Sequence, residues 1–143
     1  EKLGLRIVER SHLEDGFYCG RVAELGQATA FEELVSRLEL VLEEPVQAWR
    51  FRDGPIRRVG LVCGGGGLTP DVREASEKGC DTYITGEKVL YTIEYAKFMG
   101  MNLIVGSHTF TEVFGIESLA ERVKRRFSDI EIVRLTEDHL EAR

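Results

Sequence analysis

The chain has 143 residues, and its 19 Lys and Arg against 25 Asp and Glu give a formal net charge of −6. This length suits a single domain, and 43% hydrophobic with 31% charged residues is typical of a folded protein rather than a disordered tail. The acidic balance argues against a general binder of nucleic acid or of anionic membranes. No run approaches the roughly 18 consecutive apolar residues of a membrane-spanning helix. Because the sequence opens with the charged Glu1 and Lys2 and no apolar segment, we expect no signal peptide.

The first part of the chain predicts three strands and one helix. Aromatic and β-branched residues indicate a strand over Phe17–Leu25, and apolar residues at helical spacing predict a helix from Phe31 that Pro45 ends. Alternation predicts a strand over Val46–Arg52. A further strand, over Ile56–Cys63, contains a continuous apolar run that is typical of strands covered on both faces.

The second part of the chain alternates between helices and strands. Helices are predicted after Thr69, from about Lys88 to Met99, and from the loop at Ser107 to near Phe127, with strands over Thr82–Thr85, Asn102–Gly106 and Ile130–Leu135. The resulting β-α-β alternation from Ile56 to Leu135 predicts an α/β fold with a mostly parallel sheet flanked by helices.

Five potentially reactive side chains are predicted to be structural or simply exposed. The three cysteines, Cys19, Cys63 and Cys80, are odd in number and lack C-x-x-C spacing, which predicts buried free thiols in a reducing compartment. His12 and His139 lie in polar, unpatterned surroundings, and we expect them at the surface.

Three loops follow strand ends in the predicted sheet: Gly64–Gly67, Thr85–Glu87 and Gly106–His108. Ligands of open α/β sheets bind beyond the carboxyl ends of the strands. If these strands are parallel neighbours, all three loops emerge at the same edge. We therefore expect the functional site there.

The run Gly64, Gly65, Gly66 and Gly67 leaves three interpretations open. Its bare N–H groups before a helix start suit a phosphate, the turn suits the close passage of another backbone, and the loop suits a pocket wall. It lacks the Lys-Ser/Thr ending of a Walker loop and is not G-x-G-x-x-G. No Lys or Arg stands at a suitable offset from the run, which ranks a plain nucleotide-binding domain without metal last among the functions considered.

His108 and Glu112 stand four residues apart, which places an imidazole and a carboxylate on one side of a helical turn, roughly 5–6 Å apart at Cβ. Such donors suit Zn, Mn or Fe, and a carboxylate can bridge two ions. On spacing alone, a capping histidine beside a solvated glutamate is the commoner explanation. Glu87, just after a strand, suits either a general base or a residue that orients a metal ligand, or else an acid that complements the next helix N-terminus.

Three blocks carry a family resemblance: Cys63-Gly-Gly-Gly-Gly67, Gly79-Cys-Asp-Thr-Tyr-Ile-Thr-Gly-Glu87 and Val105-Gly-Ser-His-Thr-Phe-Thr-Glu112. In order and spacing they resemble the GTP cyclohydrolase 1 type 2 homologs, also called Nif-three-like dinuclear metal-centre proteins. Upstream segments, including Tyr18–Leu25 and Ile56–Gly60, are similar to the family's approach to its glycine turn. The resemblance therefore covers nearly the whole chain.

The resemblance implies a cytoplasmic α/β protein that holds two divalent metal ions in a cleft and assembles as a ring-shaped homo-hexamer. By this resemblance, His108 and Glu112 match metal ligands, and Thr85–Glu87 matches a motif near the cleft, with Glu87 as the candidate catalytic residue. The family name suggests a nucleotide-type substrate, with Gly64–Gly67 near its phosphates.

Two departures from the family pattern qualify these expectations. The family's His-His pair and Asp from an N-terminal half are missing from this sequence, so we expect residues 1–143 to be one α/β region, the C-terminal part of a longer two-lobed chain. We also expect this part alone to hold metal weakly. The second departure is Ser107, which separates Gly106 from His108, whereas the family usually reads Gly-His.

Two functions follow from the resemblance. The first is a metal-dependent, GTP cyclohydrolase-like hydrolase activity on a nucleotide-type substrate. The alternative is a non-catalytic, metal-binding oligomeric scaffold that binds partner proteins. Under the alternative, substitutions at Glu87 or Glu112 alter assembly or stability but no reaction rate.

Overall fold

The computed structural model describes residues 3–136. In that range the elements are, in chain order, β1 (Leu5–Glu14), β2 (Phe17–Thr29), α1 (Phe31–Leu42), β3 (Gln47–Trp49), β4 (Ile56–Val62), α2 (Thr69–Glu77), β5 (Thr82–Thr85), α3 (Leu90–Phe98), β6 (Asn102–Val105) and α4 (His108–Arg126). None of the described helices combines the length and the apolar character that crossing a membrane requires.

The strands form one mixed sheet in the order β1-β2-β4-β5-β6-β3. Strands β4, β5 and β6 are parallel neighbours, whereas the pairs β1–β2, β2–β4 and β3–β6 are antiparallel. The α/β class is confirmed, but the parallel character predicted for most of the sheet is limited to these three central strands. The β1–β2 hairpin extends the sheet on one side, and the short β3 extends it on the other.

The two ends of the chain depart most from the predicted elements. The charged segment Leu5–Glu14 is not predicted as a strand, yet it forms the ten-residue edge strand β1. Conversely, the strand predicted over Ile130–Leu135 is wrong, because these residues are irregular and exposed. Alternating β-branched residues form a strand only where a neighbouring strand is available for pairing and burial.

Helices cover both faces of the sheet. One apolar cluster joins α2 and α3 to the sheet through Val72, Ala75, Ala96, Val22, Val62, Tyr83, Leu103 and Val105. The other joins α1 and α4 to it through Phe31, Leu34, Leu38, Leu42, Val59, Ile84, Ile104 and Phe114. Consecutive residues such as Tyr83 and Ile84 enter different clusters, because successive side chains of a strand point to opposite faces. All residues of β5 and β6 are buried.

Candidate metal centre

The carboxyl ends of the three parallel strands lie side by side. Val62 pairs with Thr85, and Thr85 pairs with Val105, so β4, β5 and β6 end at one level of the sheet. Gly106 N donates a 3.0 Å hydrogen bond to Thr85 O just beyond the last pair. The glycine turn, the Thr-Gly-Glu loop and the start of α4 therefore converge at one edge, as the sequence predicts.

At this edge His108 lies between two carboxylates. Its Nδ1 is 2.5 Å from Glu87 Oε1, and its Nε2 is 3.5 Å from Glu112 Oε2. When Glu87 accepts the Nδ1 proton, a neutral ring presents Nε2 as an acceptor toward a second carboxylate. Two electron-rich groups then face the same hollow, and either a proton or a cation between them relieves their repulsion.

The side chains of His108, Glu87 and Glu112 are all partly exposed to solvent. The exposed fractions are 40% for His108, 54% for Glu87 and 49% for Glu112. An ion or a small ligand can therefore reach the facing donor atoms of His108 and Glu112 without any opening of the core.

Gly64 provides the space in front of His108 and Glu112. A Cβ atom at Gly64 would lie 2.2 Å from Glu112 Oε1 and 3.0 Å from His108 Nε2, and the residue has a φ of +64°. Its N–H donates to Thr111 Oγ1 at 2.9 Å, and Thr111 Oγ1 donates to His108 O at 2.9 Å. Glycine is required here both by the left-handed backbone and by the contact with the carboxylate.

The rest of the glycine run packs closely against its neighbours. A Cβ at Gly66 would lie 2.6 Å from the Tyr83 hydroxyl, which donates a 2.8 Å hydrogen bond to Gly66 O. A Cβ at Gly67 would lie 3.0 Å from Glu87 O. These contacts match the interpretation of a tight turn with close backbone approach, and Gly65 and Gly67 also form a pocket wall.

A cavity of about 260 Å³ adjoins the turn on the Glu87 side and is lined in part by Gly65, Gly67, Gly86, Lys88 and Tyr91. The half-buried Lys88 corrects the expectation that no cation accompanies the glycine run. The loop after β5 folds back over the turn and brings this distant residue beside it. The only signal in the sequence is that Lys88 directly follows Glu87 in a strand-end loop.

The start of α4 is fixed by Ser107 and Glu44, neither of which is among the predicted site residues. Ser107 is the N-cap residue, and its Oγ accepts a 3.3 Å hydrogen bond from Phe110 N. The buried Glu44 accepts 2.8 Å hydrogen bonds from both N and Oγ of Ser107. The serine inserted before His108 therefore anchors the helix that carries the candidate ligands.

The remaining predicted side chains have mixed outcomes. Cys80 is a buried free thiol as predicted, but Cys19 and Cys63 are exposed free thiols. His12 is wrongly predicted at the surface, because only 22% of its side chain is exposed and its Nδ1 is 2.9 Å from Asp71 Oδ1. The prediction for His139 lies outside the described residues.

Desolvation by neighbouring atoms raises the pKa of two groups near the turn, the exposed Cys63 thiol and the buried Tyr83 hydroxyl. The pKa of the Cys63 thiol is raised, first because surrounding atoms desolvate the thiolate and second because of the Glu112 charge. Burial likewise raises the pKa of the Tyr83 hydroxyl well above its usual value.

Within residues 3–136, no group of three or more His, Cys, Asp or Glu side chains is arranged to hold a metal ion. His108 and Glu112 offer one nitrogen and one carboxylate to a common hollow, and Glu87 contacts the far side of the imidazole ring. The described residues thus provide two candidate donors and one residue that orients a donor.

A glycine turn, a Thr-Gly-Glu loop and a His-x-x-x-Glu helix start at one edge of a mixed α/β sheet define a recognisable class of protein. The model of the family Duf34/NIF3 (NGG1p interacting factor 3) matches residues 1–139, and the chain belongs to this family.

Named relatives agree with this assignment. The chain is 33% identical over 112 residues to a GTP cyclohydrolase 1 type 2 homolog of Haemophilus influenzae, covering 76% of this chain and 43% of the relative. It is 31% identical over 125 residues to the homolog of Archaeoglobus fulgidus, covering 87% of this chain and 48% of the relative. The chain therefore spans less than half the length of either of these relatives.

Solved structures share the fold. Protein ybgI, described as of unknown function, is similar with a TM-score of 0.82 and 24% identity over 96% of this chain and 53% of that one. Reduced HcgD from Methanocaldococcus jannaschii is similar with a TM-score of 0.70 and 20% identity over 87% of this chain and 48% of that one.

Proposed function

We propose that His108 and Glu112 are ligands of a dinuclear divalent-metal centre, in a protein with hydrolase-like activity on a nucleotide-type substrate. The observation that carries the proposal is the placement of His108 Nε2 and Glu112 Oε2, 3.5 Å apart over a hollow that Gly64 leaves open. Membership of a family whose relatives are named GTP cyclohydrolase 1 type 2 homologs supports it.

The residues present fit a metal ion in two respects. One imidazole nitrogen and one carboxylate are donors that Zn, Mn and Fe accept. The Glu87 contact on Nδ1 resembles the carboxylate–histidine arrangement that fixes the ring and tautomer of metal-binding histidines. This contact favours Glu87 as a positioning residue that acts through His108 rather than as a free general base.

Metal ions held there would supply Lewis-acid chemistry, polarising an oxygen of the substrate. The other parts of the site suit an anionic ligand. Lys88 provides a cation in the cavity beside Gly65 and Gly67, and Tyr91 provides an exposed ring at its wall. We propose that this cavity receives the phosphate-bearing part of a nucleotide-type substrate, with the reacting atom toward His108.

Metal binding is tested by calorimetric titration of Zn²⁺ and Mn²⁺ into the chain and its variants. Two donors cannot satisfy the roughly four to six positions around each of two ions, so we expect weak binding. Glu112→Gln should weaken it further, whereas the control Glu117→Gln, five residues along the same helix, should not. Equal binding by both variants would contradict the assignment.

The full-length Haemophilus influenzae relative should bind the same ions more tightly than this chain does, if further donors complete the centre. Equal tight binding by the two proteins would refute the expectation of an incomplete set. Turnover is tested with the metal-loaded relative on a panel of nucleoside phosphates. Hydrolysis that is lost when the residue aligned with His108 is replaced by alanine supports the enzyme, and no turnover across the panel would contradict it.

The alternative is a non-catalytic metal-binding scaffold that assembles as a homo-hexamer and binds partner proteins. It is favoured by α4, on which Ile116 and Leu119 are 66% and 57% exposed, and by the family description as an interacting factor. Native mass spectrometry of the chain and of Ile116→Ser tests assembly. Under this alternative, changes at Glu112 alter assembly while no nucleotide is hydrolysed.

A further inference from the structure

The register of the antiparallel pair β2–β4 points to two cysteines that face each other just beyond its end. Its register places Arg21 opposite Leu61 and Gly20 opposite Val62. Strand β4 ends at Val62, and the same register extended by one residue past that end would set Cys19 opposite Cys63, at the start of the glycine turn.

The two thiols share one face of the sheet and are accessible. Gly20 and Val62 face the α2 and α3 side, where a Cβ on Gly20 would lie 2.9 Å from Val62 Cγ2. Alternation turns Cys19 to the other face, and it does the same for Cys63 if the extended backbone continues one residue past β4; both are exposed free thiols. Opposed residues of antiparallel strands have Cα atoms about 4.5–5.5 Å apart, within the roughly 4.4–6.8 Å range of disulfides.

We propose that Cys19 and Cys63 form a cross-strand dithiol that a low-molecular-weight disulfide, such as oxidised glutathione, converts to an intrachain disulfide. One cysteine thiolate attacks glutathione disulfide, which gives a mixed disulfide and releases one glutathione thiolate. The second cysteine thiolate attacks the protein sulfur of that mixed disulfide and releases the second glutathione. The protein loses two protons and two electrons, and the electrons reduce one glutathione disulfide to two glutathiones.

The consequence is a covalent link at the base of the candidate site. Cys63 directly precedes Gly64, whose left-handed φ of +64° begins the turn in front of Glu112. The disulfide would tie that point to strand β2 of the hairpin and hold the first residue of the turn in place. The disulfide forms without metal binding or turnover, so its test is independent of the proposed function.

Peptide mapping tests the link directly. The chain is equilibrated with defined ratios of oxidised to reduced glutathione, alkylated and digested with trypsin without reduction. Trypsin separates the three cysteines into peptides 11–21, 59–73 and 79–88. We expect peptides 11–21 and 59–73 to join, with the intact chain lighter by two hydrogen atoms and its free thiols reduced from three to one. Cys80 serves as the internal control that stays alkylated.

Single-thiol variants complete the test. Cys19→Ser and Cys63→Ser should each lose the crosslink, and the remaining exposed thiol should carry at most a glutathione adduct. Circular dichroism checks that both variants fold. Glutathione adducts on both cysteines of the parent chain without a link, a link to Cys80, or links only between chains on a non-reducing gel would each overturn the proposal.

Discussion

The hairpin side of the sheet and its strand-end edge use carboxylates in opposite ways. At the hairpin, Arg58 Nη1 lies 2.6 Å from Glu24 Oε1 and Arg58 Nη2 lies 3.3 Å from Glu9 Oε2, while Lys78 also pairs with Glu9. The Lys78 hydrogen bond is the first cause that lowers the pKa of Glu9. Every carboxylate in this group faces a permanent cation of the protein.

At the strand-end edge, two carboxylates instead flank a single imidazole. Glu87 and Glu112 contact the two nitrogens of His108. An imidazole changes its charge near neutral pH, whereas Arg and Lys do not. The hairpin cluster is therefore neutralised by its own side chains, while the edge retains the capacity to take up a cation.

The largest effect is expected for Gly64→Ala. The new Cβ would overlap Glu112 Oε1, from which it would lie 2.2 Å, and would occupy a left-handed backbone. That oxygen is the end of a flexible, half-exposed side chain that can move aside, so the free energy of unfolding should fall by only about 1–2 kcal/mol, mostly from the left-handed backbone. Metal binding should be lost, because the displaced carboxylate no longer faces His108. Urea unfolding and calorimetric titration measure the two effects.

Gly79→Ala is the matched control for this change. Gly79 has a similar φ of +74°, but no atom lies within 4 Å of its added Cβ. It should therefore show only the backbone cost of about 1 kcal/mol, with metal binding unchanged. Equal metal binding by the two variants would mean that the open space at Gly64 does not matter for His108 and Glu112.

The site at the strand-end edge could be predicted from the sequence because the patterns that define it are local. A strand followed by glycines, and His108 and Glu112 one helical turn apart, specify neighbours without knowledge of the whole fold. Lys88 was missed because its position beside the glycine turn depends on how a later loop folds back. The hairpin strand was missed because an edge strand with one solvated face tolerates charges, so Leu5–Glu14 shows no clear apolar pattern.

Glu87→Gln tests whether the edge carboxylate orients the imidazole. Glutamine keeps the size of the side chain but removes the charge beside Nδ1, so metal affinity should fall about 10–100-fold. Stability should change by less than about 0.5 kcal/mol, because both partners are largely exposed. Glu94→Gln on the exposed side of α3 is the control, and an unchanged metal affinity in Glu87→Gln would exclude a positioning role.

Arg58→Ala tests the hairpin cluster and should have the reverse effect of Glu87→Gln: it changes stability but not metal affinity. Arg58 is 27% exposed, pairs with two glutamates and donates to Lys78 O at 2.8 Å. Its loss should lower the free energy of unfolding by about 1–2 kcal/mol and leave metal affinity unchanged. Arg6→Ala, which removes a 73% exposed partner of Glu24, should change stability by less than about 0.5 kcal/mol. A change in metal affinity in Arg58→Ala would break the separation of the two regions.

The smallest effect concerns a third kind of carboxylate, the buried Asp71. It accepts from Leu68 N at 2.9 Å and lies 2.9 Å from His12 Nδ1, yet burial raises its pKa above the ordinary value of 3.8. The folded chain then binds this proton more tightly than the unfolded chain, so Asp71 makes stability fall as pH rises just above 3.8.

Glu9 is the opposite case to Asp71. Its pKa is lowered on folding, so the stability it contributes is present above its ordinary value of 4.5 and is lost as pH falls. Unfolding by urea between about pH 3.5 and 5.5, in the parent chain, Asp71→Asn and Glu9→Gln, measures both slopes. Relative to the parent, Asp71→Asn should gain stability with rising pH and Glu9→Gln should lose it. Parallel curves for the two variants would contradict the opposite pKa shifts of Asp71 and Glu9.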